Sequence, residues 1–223
     1  MAKQLFETFN GADLTDHMLE ETAQLFNENY GTWGEDLTNP IRAPKPGKSA
    51  SPTRTLSLVV TIEDRLAGNA FACRWSYKDT VVCWVTQLVV HTDFRGRGLG
   101  TGLLNQLRQD DDSIYGMMSS HPAACLAAAK AFGSNISTVT VDFVCGNAEA
   151  IMKASPISYV KEAELRGSLF NPEDTSGVVS SVYTKFFVDH AEPLEALAQV
   201  REGLEWPLGE LLDGHEFLLL IAP

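Results

Sequence analysis

The sequence predicts an α/β fold in which strands and helices alternate only in the middle of the chain. Three features predict it: a helical apolar pattern near the N-terminus, several β-branched and aromatic runs, and a glycine-rich turn where a strand gives way to a helix. The 223 residues fit one domain, since single cores extend to about 250 residues before a chain splits. We expect residues 1–55 to form an N-terminal helix and a mobile basic loop, 56–133 the central core, and 134–223 an insertion with the closing strands.

The N-terminal helix is predicted from "LTDHMLEETAQLFNENYG", whose apolar residues follow helical spacing and whose end carries Asn29 and Gly31 as stop signals. The next stretch, "NPIRAPKPGKSASPT", combines prolines with basic residues and predicts a loop. Two strands follow, Leu56 to Glu63 and Ala67 to Tyr77, and a third β-branched run extends from Thr80 to Val90.

The second half of the chain is predicted from shorter signals. A helix from about Gly98 to Gln109 leads to a strand at "SIYGMMSS" and then to a helix at "HPAACLAAAKAFG", where Ser120 is a candidate N-cap and Gly133 a stop. The tail predicts strands at "VVSSVYTKFFVDH" and "GHEFLLLI", on either side of a helix from about Pro193 to Glu202.

Composition narrows the possible partners. A formal net charge of −12 argues against nucleic acid, because an acidic surface repels phosphates, and it favours cationic small molecules. No apolar run approaches the roughly 18 residues of a membrane helix, so we expect no membrane partner. The four cysteines show no Cys-x-x-Cys spacing and indicate buried thiols in a reducing compartment. We expect a soluble cytoplasmic protein, and its oligomeric state stays open.

The glycine-rich turn lies in "VHTDFRGRGLGTGLLNQLR". A helix N-terminus carries free amides and partial positive charge, so it binds anions, most closely where side chains are missing. Gly96, Gly98 and Gly100 leave the backbone accessible in this way. The dinucleotide fingerprint G-x-G-x-x-G is excluded, because Thr101 and Leu103 stand where its third glycine is required.

The remaining pattern, Arg95-x-x-Gly98-x-Gly100 between "WVTQLVV" and "TGLLNQL", resembles the acetyl-CoA-binding motif of the GCN5-related N-acetyltransferase (GNAT) family. The resemblance covers about Leu56 to Gly133 and implies a mixed, mostly antiparallel sheet with helices on both faces. That sheet would have a V-shaped splay between its fourth and fifth strands. More loosely, the whole chain, with "NYGTWG" and "DGHEFLLLI", resembles acetyltransferase-domain proteins of filamentous fungi.

The resemblance implies direct transfer of an acetyl group from acetyl-CoA to an amine of a small-molecule acceptor. It places the coenzyme pyrophosphate on the amides of Arg95 to Thr101 and the pantetheine arm along the end of the preceding strand, with Arg97 and Lys130 as further charges. The implied coenzyme-binding residues are Leu88, Val89, Val90, Arg95, Gly96, Arg97, Gly98, Leu99, Gly100, Thr101, Ser119 and Lys130.

Acetyl transfer of this kind needs a neutral amine, a donor to the thioester carbonyl and an acid for the departing thiolate. His121 is a candidate proton carrier, since histidine titrates near neutrality, and Ser120 is a candidate donor whose alternative role is a helix cap. The adjacent pairs Asp189-His190 and His215-Glu216 are not expected to act as dyads, because neighbours on a strand point to opposite faces. No histidine pair has zinc-protease spacing, so no metal is predicted.

For the acceptor, Tyr30 and Trp33 are candidate aromatic walls that suit an amine through cation–π contact. Gln87 occupies the position where many relatives carry a glutamate base, and Ala128 the position of their tyrosine acid. A second register that begins at Asn147 places Ala154 at the tyrosine position instead. These departures leave open a second hypothesis, a non-catalytic acyl-CoA-binding module of the same fold.

Overall fold

The structure is a computed structural model that describes residues 3–30, 54–133, 135–139 and 141–222. Trp33 and the predicted basic loop up to residue 53 lie outside the described residues. In the described part, one sheet has the strand order β1-β2-β3-β4-β5-β8-β7-β6. The strands are β1 Gln4–Asn10, β2 Arg54–Ile62, β3 Arg65–Tyr77, β4 Thr80–Val90, β5 Asp112–Ser119, β6 Glu164–Arg166, β7 Ser181–Tyr183 and β8 His215–Ile221.

Helices flank this sheet, and α1 packs against β3 and β4 while α2 packs against β1 to β4. The α-helices are α1 Asp16–Asn29, α2 Leu99–Leu107, α3 Pro122–Ala131, α4 Val141–Lys153, α5 Ser158–Glu162 and α6 Ala191–Gly203. The predicted helices of the N-terminal segment, of the glycine turn, after the fifth strand and in the tail are confirmed as α1, α2, α3 and α6. The β4 strand has the predicted bounds.

The sheet opens between β4 and β5, its one parallel pair in the described residues. Their ladder begins at Val81 and Asp112 and ends at Val85 and Met117. Immediately after Val85, Thr86 is an extra residue in the β3–β4 register, a β-bulge that bends a strand away from its neighbour. Beyond this point β5 pairs only with β8. The predicted splay of a GNAT sheet is therefore present.

The closed end of the splay is held by a buried ion pair. The Arg74 guanidinium of β3 binds both carboxylate oxygens of Asp112, the first residue of β5, at 2.7 and 2.8 Å. It also donates to the Leu107 carbonyl at the end of α2. Bidentate pairing of this kind fixes orientation as well as distance, so β5 starts at a defined position beside the β3–β4 hairpin.

Two expectations for the tail and the N-terminus were wrong or incomplete. The predicted long strand at 178–190 is reduced to Ser181–Tyr183 with an isolated bridge at Val178. Lys185 has a φ of +62°, a left-handed conformation that ends extended structure. The sequence pattern also gave no signal for β1, whose side chains are mostly exposed and do not alternate clearly.

Candidate active site

The open end of the splay forms a cleft of about 270 Å³. It lies between the end of β4, the glycine turn, the start of α3, the end of α1 and the start of α6. Arg97, Lys130 and Gln87 are not among the lining residues, and Trp33 lies outside the described part. The lining brings together these residues predicted from the sequence: Tyr30, Leu88, Val89, Val90, Arg95, Gly96, Gly98, Leu99, Gly100, Thr101, Ser119, Ser120 and His121.

The glycine turn presents a run of free backbone amides to this cleft. Within the described residues, the amides from Gly96 to Thr101 donate no hydrogen bond, and the first intrahelical bond of α2 joins the Gly102 amide to the Gly98 carbonyl at 2.9 Å. The predicted run began at Arg95, but the Arg95 amide donates to the Thr92 carbonyl at 3.3 Å. Six consecutive donors at a helix N-terminus form a concave site for an anion.

Glycine is favoured at the positions of the turn by different structural constraints. Gly96 and Gly98 have φ values of +72° and +79°, a conformation that side chains rarely adopt. A Cβ on Gly100 would find only ordinary contacts, the nearest at 3.7 Å on Ala127. A Cβ on Gly102 would lie 2.7 Å from the Phe6 ring of β1, so Gly102 serves packing and Gly100 leaves room on the cleft side.

The Arg95 side chain joins three elements beside the cleft. Its guanidinium donates to the Val90 carbonyl at 3.2 Å, to the Asn29 carbonyl at the end of α1 and to the Glu192 carboxylate of α6. This side chain is therefore engaged inside the protein. The prediction that Arg95 contacts the coenzyme therefore rests on its position in the turn and not on its guanidinium.

His121 is the N-cap of α3. Its Nδ1 accepts the Ala123 amide at 3.2 Å, and its Nε2 lies 3.7 Å from Glu192 Oε1. Burial lowers the pKa of His121, the Glu192 carboxylate opposes that shift, and Arg95 adds to it. In the neutral ring, the one nitrogen with a free lone pair is Nδ1, and it already accepts the Ala123 amide as the helix cap. If His121 took up a proton at Nδ1, this capping hydrogen bond would be lost. The predicted catalytic role stays a prediction beside this structural one.

Ser119 and Ser120 are both buried at the end of β5. Ser119 Oγ accepts the His121 amide at 3.1 Å, so it supports the turn into α3. Ser120 is not the cap of that helix, because His121 takes the position. Its hydroxyl lies near that of Tyr30, whose pKa is raised by burial and by Glu216, while both serines oppose the rise.

Gln87 lies on β4 just after the bulge and is 8% exposed. Its amide nitrogen donates to Asn69 Oδ1 at 3.4 Å, and Asn69 Nδ2 is buried without a partner in the described residues. Both side chains of the pair are buried. The prediction that Gln87 contacts the acceptor substrate stays a prediction, although Gln87 does not line the cleft.

Glu216 is a buried titratable group that was not predicted to act in a His215-Glu216 dyad. It lies on β8, is 9% exposed, and forms no salt bridge with any described residue. Burial raises the pKa of this carboxyl to about 7, and the Thr184 hydroxyl opposes the rise. The sequence did carry a signal: in "HEFLLLI" strand alternation places Glu216 on the same face as Leu218 and Leu220, which are buried.

The described residues contain no group of three histidine, cysteine or acidic side chains placed to hold a metal ion. None of the helices in that part is long and apolar enough to cross a membrane.

Part of the chain is similar in sequence to one known protein family. The sequence profile of the Acetyltransferase (GNAT) family matches residues 18–117, which extend from α1 into β5 and contain the glycine turn. The matched segment is less than half of the chain. The strand order, with its single parallel pair β4–β5 in the described residues, is that of the GNAT fold. No curated protein matches the chain.

Solved structures with low sequence identity also match. An aminoglycoside acetyltransferase, meta-AAC0020 from an uncultured soil metagenomic sample, is 16% identical with a TM-score of 0.34, and the match covers 46% of this chain and 66% of that one, just under two thirds. Arabidopsis thaliana Naa50 in complex with the bisubstrate analogue CoA-Ac-MVNAL is 15% identical with a TM-score of 0.38, covering 57% and 82%. A GCN5-related N-acetyltransferase from Kribbella flavida is 13% identical with a TM-score of 0.38, covering 97% and 71%.

The raised pKa of Glu216 predicts how stability depends on pH. Its ordinary value is 4.5 and its folded value is about 7, so the folded chain binds the proton more tightly and its stability falls as pH rises between these values. Glu216→Gln removes this loss. At pH 8 we expect the variant to be more stable than the parent by about 3 kcal/mol, with the difference vanishing near pH 4.

Urea denaturation of both proteins between pH 4 and pH 8 measures this difference. Glu195→Gln, an exposed glutamate of α6, is the matched control and should track the parent. A Glu216→Gln curve parallel to that of the parent across the pH range would contradict the raised pKa.

Proposed function

We propose that this chain transfers the acetyl group of acetyl-CoA to a primary amine of a small-molecule acceptor. The observation that carries the proposal is the run of six free amides from Gly96 to Thr101 at the mouth of a splayed sheet. An anion-binding turn and an open strand edge meet at one cleft there. The GNAT fold supports the same reaction class.

The residues present fit coenzyme A. The amides of Gly96 to Thr101 would hold the pyrophosphate, and the outer edge of β4 at Leu88 to Val90, which β5 no longer covers, would pair with the pantetheine arm. When bound, acetyl-CoA supplies an activated acetyl thioester. Arg97 and Lys130, both exposed, remain candidates for contact with the 3'-phosphate.

The acceptor is proposed to be cationic. The chain has a net charge of −12, and the cleft lining includes the carboxylates of Asp189 and Glu192 beside the Tyr30 ring. Such a site attracts an ammonium group and offers it an aromatic face. Tyr30 stacks on Phe26 with a centroid distance of 4.3 Å, which holds the ring in place. Trp33 stays a candidate second wall.

Coenzyme binding should stabilise the parent protein. A ligand that binds only the native state adds about 2.7 kcal/mol at a hundredfold excess over its Kd, which is roughly 5 to 10 °C in Tm for a chain of this size. Gly100→Glu should fold, because a Cβ there has ordinary contacts, and should lose the shift, because its carboxylate occupies and repels the pyrophosphate position.

Differential scanning fluorimetry with acetyl-CoA measures the shift. Gly146→Glu is the matched control, since a Cβ at Gly146 of α4 meets nothing within 4 Å and α4 does not line the cleft. It should keep the full shift. An equal shift in Gly100→Glu, or none in the parent, would show that the turn is not the coenzyme site.

Acetyl transfer itself is tested by thiol release from acetyl-CoA with spermidine, lysine, 2-phenylethylamine and glucosamine. We expect release above the no-amine background with at least one amine, and a rate that falls with added salt because screening weakens attraction to the acidic surface. Coenzyme binding with no release for any of the four would favour the non-catalytic acyl-CoA-binding module.

The two roles of His121 are separable by substitution. We expect His121→Asn to keep most of the turnover, because its carboxamide oxygen can accept the same Ala123 amide, whereas His121→Ala should lose about 1 kcal/mol of stability with the cap. Turnover and Tm of both variants measure this. A roughly 100-fold loss of turnover in His121→Asn at unchanged Tm would make His121 the proton carrier.

A further inference from the structure

We propose that Glu216 is the general base that removes a proton from the acceptor ammonium. The inference rests on the acetyl transfer proposed above and assigns its proton acceptor. It also narrows the acceptor to an amine that reaches the open end of the splay, where β5 ends and β8 begins.

The sheet register places Glu216 at the open end of the splay, beyond the last β4–β5 pair. The last β5–β8 pair joins Ser119 to Phe217, so Glu216 stands at the register position opposite Ser120, where β5 turns toward α3. On its other side, Glu216 pairs with Val182 of β7. Its backbone is fixed on this side, since its carbonyl accepts the Ser181 hydroxyl at 2.8 Å.

The groups around the carboxyl come from both sides of the splay. The titratable side chains that interact with it are Tyr30 at the end of α1, Cys125 of α3 and Tyr159 of α5, and Thr184 is the nearby polar group. Tyr159 spans the opening, since its hydroxyl donates to the Thr86 carbonyl at the β4 bulge at 3.3 Å. Tyr30 belongs to this group and also lines the cleft.

No described cation neutralises Glu216, and no described side chain forms a salt bridge with it. A carboxylate that is nine-tenths buried without a counter-charge is costly for the fold unless a ligand supplies the charge. An acceptor ammonium supplies that charge. Tyr30, which interacts with Glu216, and Ser120 both line the cleft from which such a ligand would enter.

The polar groups that line the cleft, and Gln87 beside it, have no basic site or already have partners. Gln87 has no basic site, and the His121 lone pair already accepts the Ala123 amide. Asp189 and Glu192 are the carboxylates that line the cleft, but Asp189 accepts the Ala191 amide at 2.8 Å and Glu192 is ion-paired with Arg95. Glu216 is not a lining residue itself and lies behind Tyr30, which lines the cleft and interacts with it. Glu216, whose pKa burial raises to about 7, titrates where a general base is most effective near neutral pH.

The proposed reaction combines one proton transfer with one acyl transfer. The acceptor R–NH3⁺ gives one proton to the Glu216 carboxylate and becomes R–NH2, whose lone pair forms the new C–N bond at the thioester carbonyl carbon. The C–S bond breaks, its electron pair leaves with sulfur, and the second amine proton ends on that sulfur. Glu216 then releases its proton to solvent, so R–NH3⁺ and the acetyl thioester give the amide, the free thiol and one H⁺.

The test is the pH dependence of kcat/KM for the parent and Glu216→Gln, with the most active of the four amines named above. The parent should show an acidic limb with an apparent pKa near 7, the value expected for Glu216. Glu216→Gln should lose roughly 100-fold at pH 7. The loss should shrink toward pH 10, because a primary amine deprotonates itself near its own pKa of about 10.4.

Two readouts separate this role from a structural one. Glu216→Gln should keep the thermal shift with acetyl-CoA, and carbon-13 NMR of the free protein should show one glutamate carboxyl that titrates near pH 7 and is absent in the variant. Glu195→Gln should match the parent in every measurement.

The outcomes are distinct. A parent that releases thiol with none of the four amines overturns the proposed function and this inference with it. An active parent whose acidic limb and turnover survive in Glu216→Gln overturns the assignment of Glu216 alone, as does a Glu216 carboxyl that titrates near pH 4.5.

Discussion

The separation of β4 from β5 after Val85 and Met117 is the constraint on which the rest of the site depends. It has two local causes, a bulge at Thr86 that bends β4 and an ion pair between Arg74 and Asp112 that holds the start of β5. The sheet is therefore tight at one end and open at the other. The open end leaves a strand edge and a cavity inside the fold, and both lie beside the N-terminus of α2.

Arg95 connects the elements around the opening of the sheet. Its guanidinium joins the end of β4, the last turn of α1 and the start of α6. Because the Arg95 side chain is used in this way, the proposed anion site consists of the backbone amides of the turn. Glu192 extends the same network toward His121, so Arg95, Glu192 and His121 connect the start of α6 to the start of α3.

Local patterns predicted the glycine turn as a coenzyme site, whereas the surroundings of Glu216 depend on contacts between segments distant in sequence. The β4 strand and the turn are written in consecutive residues, so their bounds and their role as an anion site could be predicted. Glu216 could be placed on a strand but not beside Tyr30 and Tyr159, which arrive from helices far apart in sequence. His121 was found as a candidate because of its type, yet its cap to Ala123 depends on a backbone geometry that residue type does not determine.

The central claim is that the amides of Gly96 to Thr101 bind the coenzyme pyrophosphate. Nitrogen-15 NMR of the backbone during titration with coenzyme A tests it most directly, because each amide reports its own hydrogen bond. We expect the amide protons of this run to shift downfield together and to exchange more slowly with solvent, while those of α4 stay unchanged. Saturable binding that leaves Gly96 to Thr101 unshifted would contradict the account.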